Sequence, residues 1–357
     1  MKPSIDSARL LYYQRKFKES VEICNQILSV ESNSIEALKL IGKSLGSLGK
    51  LEEACSFQKK ALTIKPDDYE LIKDIGNSYQ AVGNFKVAKE YYEKSIEINC
   101  DYAPALTNLG SLELRYGNGE EAISLLEKAT ELDPKLALAW LNLASCYLKT
   151  GRRDEGEKAT RTSIDLNPNL FNAHFMLANL LIEKNKLEEA EVYLRKTVAL
   201  KPDFFPALLK LGAILRDLGQ LKEAEIVTRK AIEIKPNLGE LHYSLAKVLI
   251  DQDKYKESEG SLLQAIKLNP DSYQSHLYLG VVLKSLDKNQ EAEKATRKAI
   301  HLNPNSVEAL LLLSILLRRN GEFQKAFICC EKILELRPWS ILGCCGLNHV
   351  SDNKSSS

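Results

Sequence analysis

Prolines recur along this chain at Pro66, Pro134, Pro168, Pro202, Pro236, Pro270, Pro304 and Pro338, at intervals of thirty-four residues or twice that. A proline lacks the N–H that an α-helix needs, so each of these points must end a helix. Only Ser32 and Cys100 break the column. Residues 205–238 show what lies within one period: two amphipathic segments, Phe205–Asp217 and Leu221–Ile234, broken by Leu218-Gly219-Gln220 and closed by Lys235-Pro236. The pattern predicts a helical hairpin. Two further columns are small. With Phe205 as position 1, position 8 holds Ala8, Gly42, Gly76, Gly110, Ala144, Ala178, Gly212, Ala246, Gly280 and Ser314, and position 20 holds Ser20, Ala54, Ala88, Ala122, Gly156, Ala190, Ala224, Ser258, Ala292 and Ala326. Small side chains at both places let the two helices approach closely.

No insertion or deletion interrupts the period. A helix-turn-helix unit with this spacing and these columns resembles the tetratricopeptide repeat, as found in bacterial arrays, in ten tandem copies starting near residues 1, 35, 69, 103, 137, 171, 205, 239, 273 and 307. The array is expected over residues 1–338, followed by a short irregular tail at 339–357. The resemblance implies an all-α, right-handed superhelical solenoid. A hairpin of this size cannot bury its own apolar face, so neighbours must stack. The length of 357 residues, which in an ordinary globular chain predicts two or three domains, is overridden by the repeat.

Composition excludes several classes. A net charge of +1, with 27% charged residues of both signs interleaved, exerts no long-range pull on nucleic acid or an anionic membrane. The longest apolar run, around 309–317, is far short of a membrane span, and the N-terminus has no stretch of signal-peptide type. The expected location is cytoplasmic. Of the 8 cysteines, Cys24, Cys55, Cys100 and Cys146 fall in separate copies, and Cys329, Cys330, Cys344 and Cys345 with His349 lack zinc-ligand spacing, so neither metal nor cofactor is expected. His174, His242 and His276 share position 4 with Trp140 and Leu208 and read as interior or boundary residues. Glu113, at the usually apolar position 11, is expected to reach solvent at the edge or to meet Arg115.

No glycine-rich phosphate loop, His-Glu-x-x-His or interrupting catalytic set occurs in the sequence, which reads as a non-enzyme. On the first helix of each copy, positions 4, 7, 8 and 11 share one face; positions 2, 6, 9 and 13 lie opposite, with 5 and 12 on the flanks. The resemblance implies that this opposite face lines a concave groove. It supplies Lys39, Lys43, Lys73 and Asn77 near the N-terminus, which reads as basic, then Asn108, Asn142, Asn172 and Asn179 beside Leu141, Phe175 and Met176. Toward the C-terminus it supplies Leu209, Tyr243, Leu277, Tyr278, Val281, Leu311, Leu312 and Ile315, an apolar strip expected to be exposed and to bind a peptide. The other reading of that strip is that residues such as Leu209 and Leu277 pack between adjacent first helices.

Two family patterns fit in part. The carboxylate clamp of chaperone-binding members is matched by Lys73, Asn77 and Asn108, but Leu138 and Asn142 replace its two cations. The asparagine ladder of the O-linked N-acetylglucosamine transferase superhelix is matched only by Asn108 and Asn142. The expected function is a scaffold that holds an extended or helical segment of a protein partner, with affinity on the order of micromolar. An alternative is a substrate-recruiting module of a glycosyltransferase or sulfotransferase type whose catalytic part is absent or separate, since LGAILRDLGQLKEAE looks like arrays that precede such domains in some bacterial proteins. RNA binding is the remaining alternative, disfavoured by the period and the apolar strip. No membrane insertion is expected. Self-association is expected to involve Phe327, Ile328 and Ile333 of the tenth copy.

Overall fold

The computed structural model describes residues 4–337; the expected tail, with Cys344, Cys345 and His349, lies outside them. Among the described residues the chain forms twenty α-helices and no strands, arranged as tandem hairpins. The first ten are α1 Ile5–Tyr13, α2 Phe17–Val30, α3 Ile35–Ser47, α4 Leu51–Ile64, α5 Tyr69–Val82, α6 Phe85–Ile98, α7 Ala103–Tyr116, α8 Gly119–Leu132, α9 Ala137–Lys149 and α10 Arg153–Leu166. The rest are α11 Phe171–Glu183, α12 Leu187–Leu200, α13 Phe205–Asp217, α14 Leu221–Ile234, α15 Gly239–Asp251, α16 Tyr255–Leu268, α17 Tyr273–Ser285, α18 Asn289–Leu302, α19 Val307–Arg319 and α20 Phe323–Leu336. From α3 onward each odd-numbered helix begins on the residue that opens a repeat. The described residues fall into two compact units that divide between Leu177 and Ala178.

The hairpin turn has one fixed requirement. Position 15 takes a left-handed backbone conformation in every copy: glycine at Gly49, Gly83, Gly117, Gly151, Gly219 and Gly321, and Arg15, Asn185, Asp253 and Asp287 elsewhere, with φ between 55° and 61°. Glycine adopts this conformation without a steric penalty, whereas an arginine does not. Within the hairpin, position 8 of the first helix lies close against the second helix, and where it is glycine there is no room for a Cβ. A Cβ added at Gly212 would stand 2.5 Å from Thr228 Oγ1 and 3.6 Å from the Ala224 carbonyl. The two small columns therefore meet through the backbone of position 20 and the side chain of position 24.

Position 4 joins one copy to the previous one. The indole N–H of Trp140 donates to the Pro134 carbonyl at 2.9 Å, and Nε2 of His174, His242 and His276 donates to the carbonyls of Pro168, Pro236 and Pro270 at 2.8, 2.9 and 3.0 Å. A carbonyl can only accept, so each imidazole carries its proton on Nε2. The second helices are also linked. In the second unit Arg195 pairs with Glu191 in its own helix and with Glu223 of the next copy, and Arg229 repeats this with Glu225 and Glu257. Lys254 and Lys288, at position 16, reach back 2.7 Å to Glu225 and Glu259 of the preceding copies. The outer charge thus pairs between repeats as well as within helices.

Two expectations need correction. Glu113 is fully buried rather than at the edge; its partners are Lys89 Nζ at 2.6 Å and the Asn118 amide at 2.6 Å, while Arg115 lies over the Phe85 ring. Burial pushes this carboxyl up, but the bonds from Lys89 and Asn118 outweigh it and hold it below its ordinary value. In the tenth copy Ile333 is buried against Val307 and Leu310, so only Ile328 and part of Phe327 face outward.

Candidate functional site

The first unit places Lys39 and Lys43 on α3 and Lys73 on α5, on the face away from the core, but it also places acids among them. Lys39 Nζ lies 2.9 Å from Asp68 and 3.8 Å from Glu70, Lys43 lies 3.3 Å from Asp74, and Lys73 lies 2.6 Å from the other Asp74 oxygen. Three lysines meet three carboxylates, so the expected basic end is neutralised within the fold. Asp74 is only 8% exposed. Burial alone would raise the Asp68 carboxyl, yet the bonds from Lys39 and the Leu71 N–H hold it low. The Lys43 ammonium is disfavoured by burial, and Asp74 more than compensates.

The partial clamp is occupied from inside as well. Asn108 donates its amide to Asn77 Oδ1 at 2.7 Å, and the Tyr92 hydroxyl donates to the same oxygen at 2.8 Å. These contacts reveal a register: position 9 of one copy faces position 6 of the next, as Lys43 faces Asp74 and Asn77 faces Asn108. Sequence reasoning counted position 6 on the groove face but did not pair it across the repeat boundary, and so missed Asp74. Farther along, Asn142 and Phe175 are half-buried, and Leu141 is buried in the core.

In the second unit, Asn179 occupies the same position 9, and its Oδ1 is buried without a hydrogen-bond partner. A cavity of about 740 Å³ opens on α13, α15 and α17, with Leu209, Lys210, Tyr243 and Lys247 in its walls and Glu240 at its side. Tyr243 meets Tyr278 edge-on at 5.5 Å between ring centres, and Lys247 Nζ sits 5.7 Å over the Tyr243 ring. Burial, with Tyr278 alongside, pushes the Tyr243 hydroxyl well up, so it stays a neutral donor. Burial and the nearby Arg216 push the Lys247 ammonium down, partly offset by Asp217 and Asp251.

The rest of the expected strip is not surface. Leu277 is 9% exposed and Leu312 6%; both belong to a core with Leu279, Val282, Leu283 and Leu316, and Val281 packs against it half-buried. Leu312 leans on α17 where Gly280 leaves space: a Cβ there would come within 3.1 Å of its Cδ2. Ile315 and Leu311 are half-buried. Of the expected apolar residues, Leu209 and Tyr243 line one cavity and Tyr278 meets the Tyr243 ring, while Leu277 and Leu312 are spent on packing between first helices. Lys210 and Lys247 are the residues missed, although both stand on groove-facing positions. No described helix is long and apolar enough to cross a membrane.

Family models described as tetratricopeptide repeats match residues 35–68, 73–136, 113–169, 243–295 and 282–338. One described as the TT21 fifth ARM repeats domain matches 172–258. Among solved structures, the C-terminal part of a TPR repeat-containing protein from Cytophaga hutchinsonii aligns at 17% identity and TM-score 0.54, over 68% of this chain and 99% of that one. A chain of the APC/C hetero-tetramer Cut9-Hcn1 aligns at 12% identity and TM-score 0.52, over 96% and 95%. Pseudomonas aeruginosa pilF aligns at 17% identity and TM-score 0.51, over 62% and 97%. At these identities the likeness concerns the fold alone. No curated protein matches the sequence.

Proposed function

This chain belongs to the tetratricopeptide-repeat family, generally a family of non-catalytic interaction scaffolds, and from that premise we propose that it binds a peptide segment of a protein partner on the first-helix face of its second unit. The supporting observation is the cavity on α13, α15 and α17, where Leu209 and Tyr243, the latter held edge-on by Tyr278, offer apolar surface beside polar groups. Aromatic side chains that are half-buried and held by a neighbour lose little entropy when a ligand packs on them, which makes them good anchors. The peptide's backbone would find partners in Ser244, Asn269 and Gln274, which line the same cavity.

The test is selection of displayed random linear peptides on the full chain, followed by binding to the Tyr243→Ala, Tyr278→Ala double variant. Selected peptides should lose about tenfold or more in affinity, because the half-buried aromatic anchor and the ring that holds it are removed, while far-UV circular dichroism stays unchanged. Equal binding to both proteins would show that this face is not the working surface.

A further inference from the structure

The cavity in the second unit carries charge that the fold leaves unused. Among the described residues neither Lys210 nor Lys247 makes an ion pair or a hydrogen bond; Lys247 lies over the Tyr243 ring and feels Asp217 and Asp251 only at longer range. The neighbouring cation differs: Arg216 is held by Asp217 at 2.5 Å and Asp251 at 3.5 Å. So do the lysines on the same face of the first unit, each of which has a carboxylate. The one acid lining the cavity, Glu240, sits in the first turn of α15, is exposed, and pairs with neither lysine. An acid in a first turn is favoured by the helix dipole.

Resting on the peptide-binding reading above, we infer that the segment held here is acidic, with carboxylate charge meeting the unpaired Lys210 and Lys247 that line the cavity and an adjacent aromatic or aliphatic side chain on Leu209 and Tyr243. Two ammonium groups in a partly apolar recess attract an anion more strongly than the same groups on an open surface, because less water screens them. Burial, and Arg216 beside it, disfavour the Lys247 ammonium in the free protein, so an incoming carboxylate relieves part of that cost. Lys210, on α13, is at position 6 of its copy and Lys247, on α15, at position 9 of the following one, so the two cations line one cavity at separate points rather than facing each other. A segment with one acid and one apolar neighbour satisfies both kinds of wall, whereas a polyanion such as RNA leaves Leu209 without a partner.

The experiment uses peptides selected on the full chain, made in acidic form and with Asp→Asn or Glu→Gln, and read by fluorescence anisotropy. Three proteins are compared: wild type, Lys210→Gln with Lys247→Gln, and Tyr243→Ala with Tyr278→Ala. A Lys210→Arg, Lys247→Arg variant keeps the charge and controls for folding. The selected peptides should carry an acid beside an apolar residue, and neutralising the acid should cost about tenfold on wild type, the worth of a charge-assisted contact. On the glutamine variant the acidic and neutral forms should bind alike. Peptides without an acid, bound equally by the glutamine variant but lost on the alanine variant, would overturn the inference and leave the peptide-binding face standing. Selected peptides indifferent to the alanine variant, no selected peptides at all, or RNA displacing them at equal salt, would overturn both.

Discussion

The groove-facing lysines on the first helices of the two units are used in opposite ways. In the first, Lys39, Lys43 and Lys73 are absorbed by Asp68, Glu70 and Asp74, and Asn77 by Asn108 and Tyr92. In the second, Lys210 and Lys247 face a cavity with no carboxylate bonded to them. A count of charges by face ranks these surfaces in the wrong order, because the electrostatics available to a ligand are those the fold has not already neutralised. Pairing leaves the first surface little charge to offer a ligand; on the second, the proposed binding face, two lysines keep theirs.

The contrast breaks most visibly at Asp74. Replacing it with alanine strips Lys43 and Lys73 of their partner in a buried setting, and urea unfolding of the first unit should lose about 2–3 kcal/mol. The released lysines should also make that face bind acidic peptides weakly; if stability holds, the pairing is ornamental. Acid should separate the units next. Asp68 and Glu113 have carboxyls held below their ordinary values of 3.8 and 4.5, so their stabilisation is present above those values and lost as pH falls through the lower folded ones. Hydrogen exchange, corrected for intrinsic rates, should therefore lose protection around α5 and α7 before α15 and α17 on acidification below about pH 4. Equal loss in both would remove the distinction. A smaller effect is expected at the first turn: Arg15→Gly should raise stability by about 1 kcal/mol by relieving the left-handed arginine, while Asp253→Gly, at a residue that tolerates this conformation better, should gain less. Last, Lys210→Gln with Lys247→Gln should change thermal stability by no more than about 0.5 kcal/mol, since no ion pair is lost; a large loss would reveal a partner for them within the fold.

How legible this was depends on whether a property is local to one copy. The helices of residues 205–238 begin and end where the amphipathic pattern and Pro236 place them, because helix ends are set within a few residues of sequence. Position 15 was visible through Gly219 but not through Arg15, Asp253 or Asp287, whose turn is imposed by the packed hairpin. The site was harder. A helical wheel tells which face Leu277, Leu312 and Asp74 occupy, but not what the adjacent copy sets against them. Leu277 and Leu312 are buried because neighbouring first helices close over them, and Asp74 matters because position 9 of the previous copy points at it. The same holds for Glu113, expected at the solvent edge or beside Arg115 of its own helix, when its cation comes from α6 of the preceding copy.

The linkage on the second helices bears on how such a chain can grow. Glu225 takes Lys254 from the following copy, and Glu259 takes Lys288 in the same way. Were residues 239–272 duplicated in tandem, every seam would again set a lysine at position 16 against a glutamate at position 21. The coupling is interchangeable, like the stud and socket of a building block, so an ancestor could lengthen its reach by one copy without first inventing a new joint.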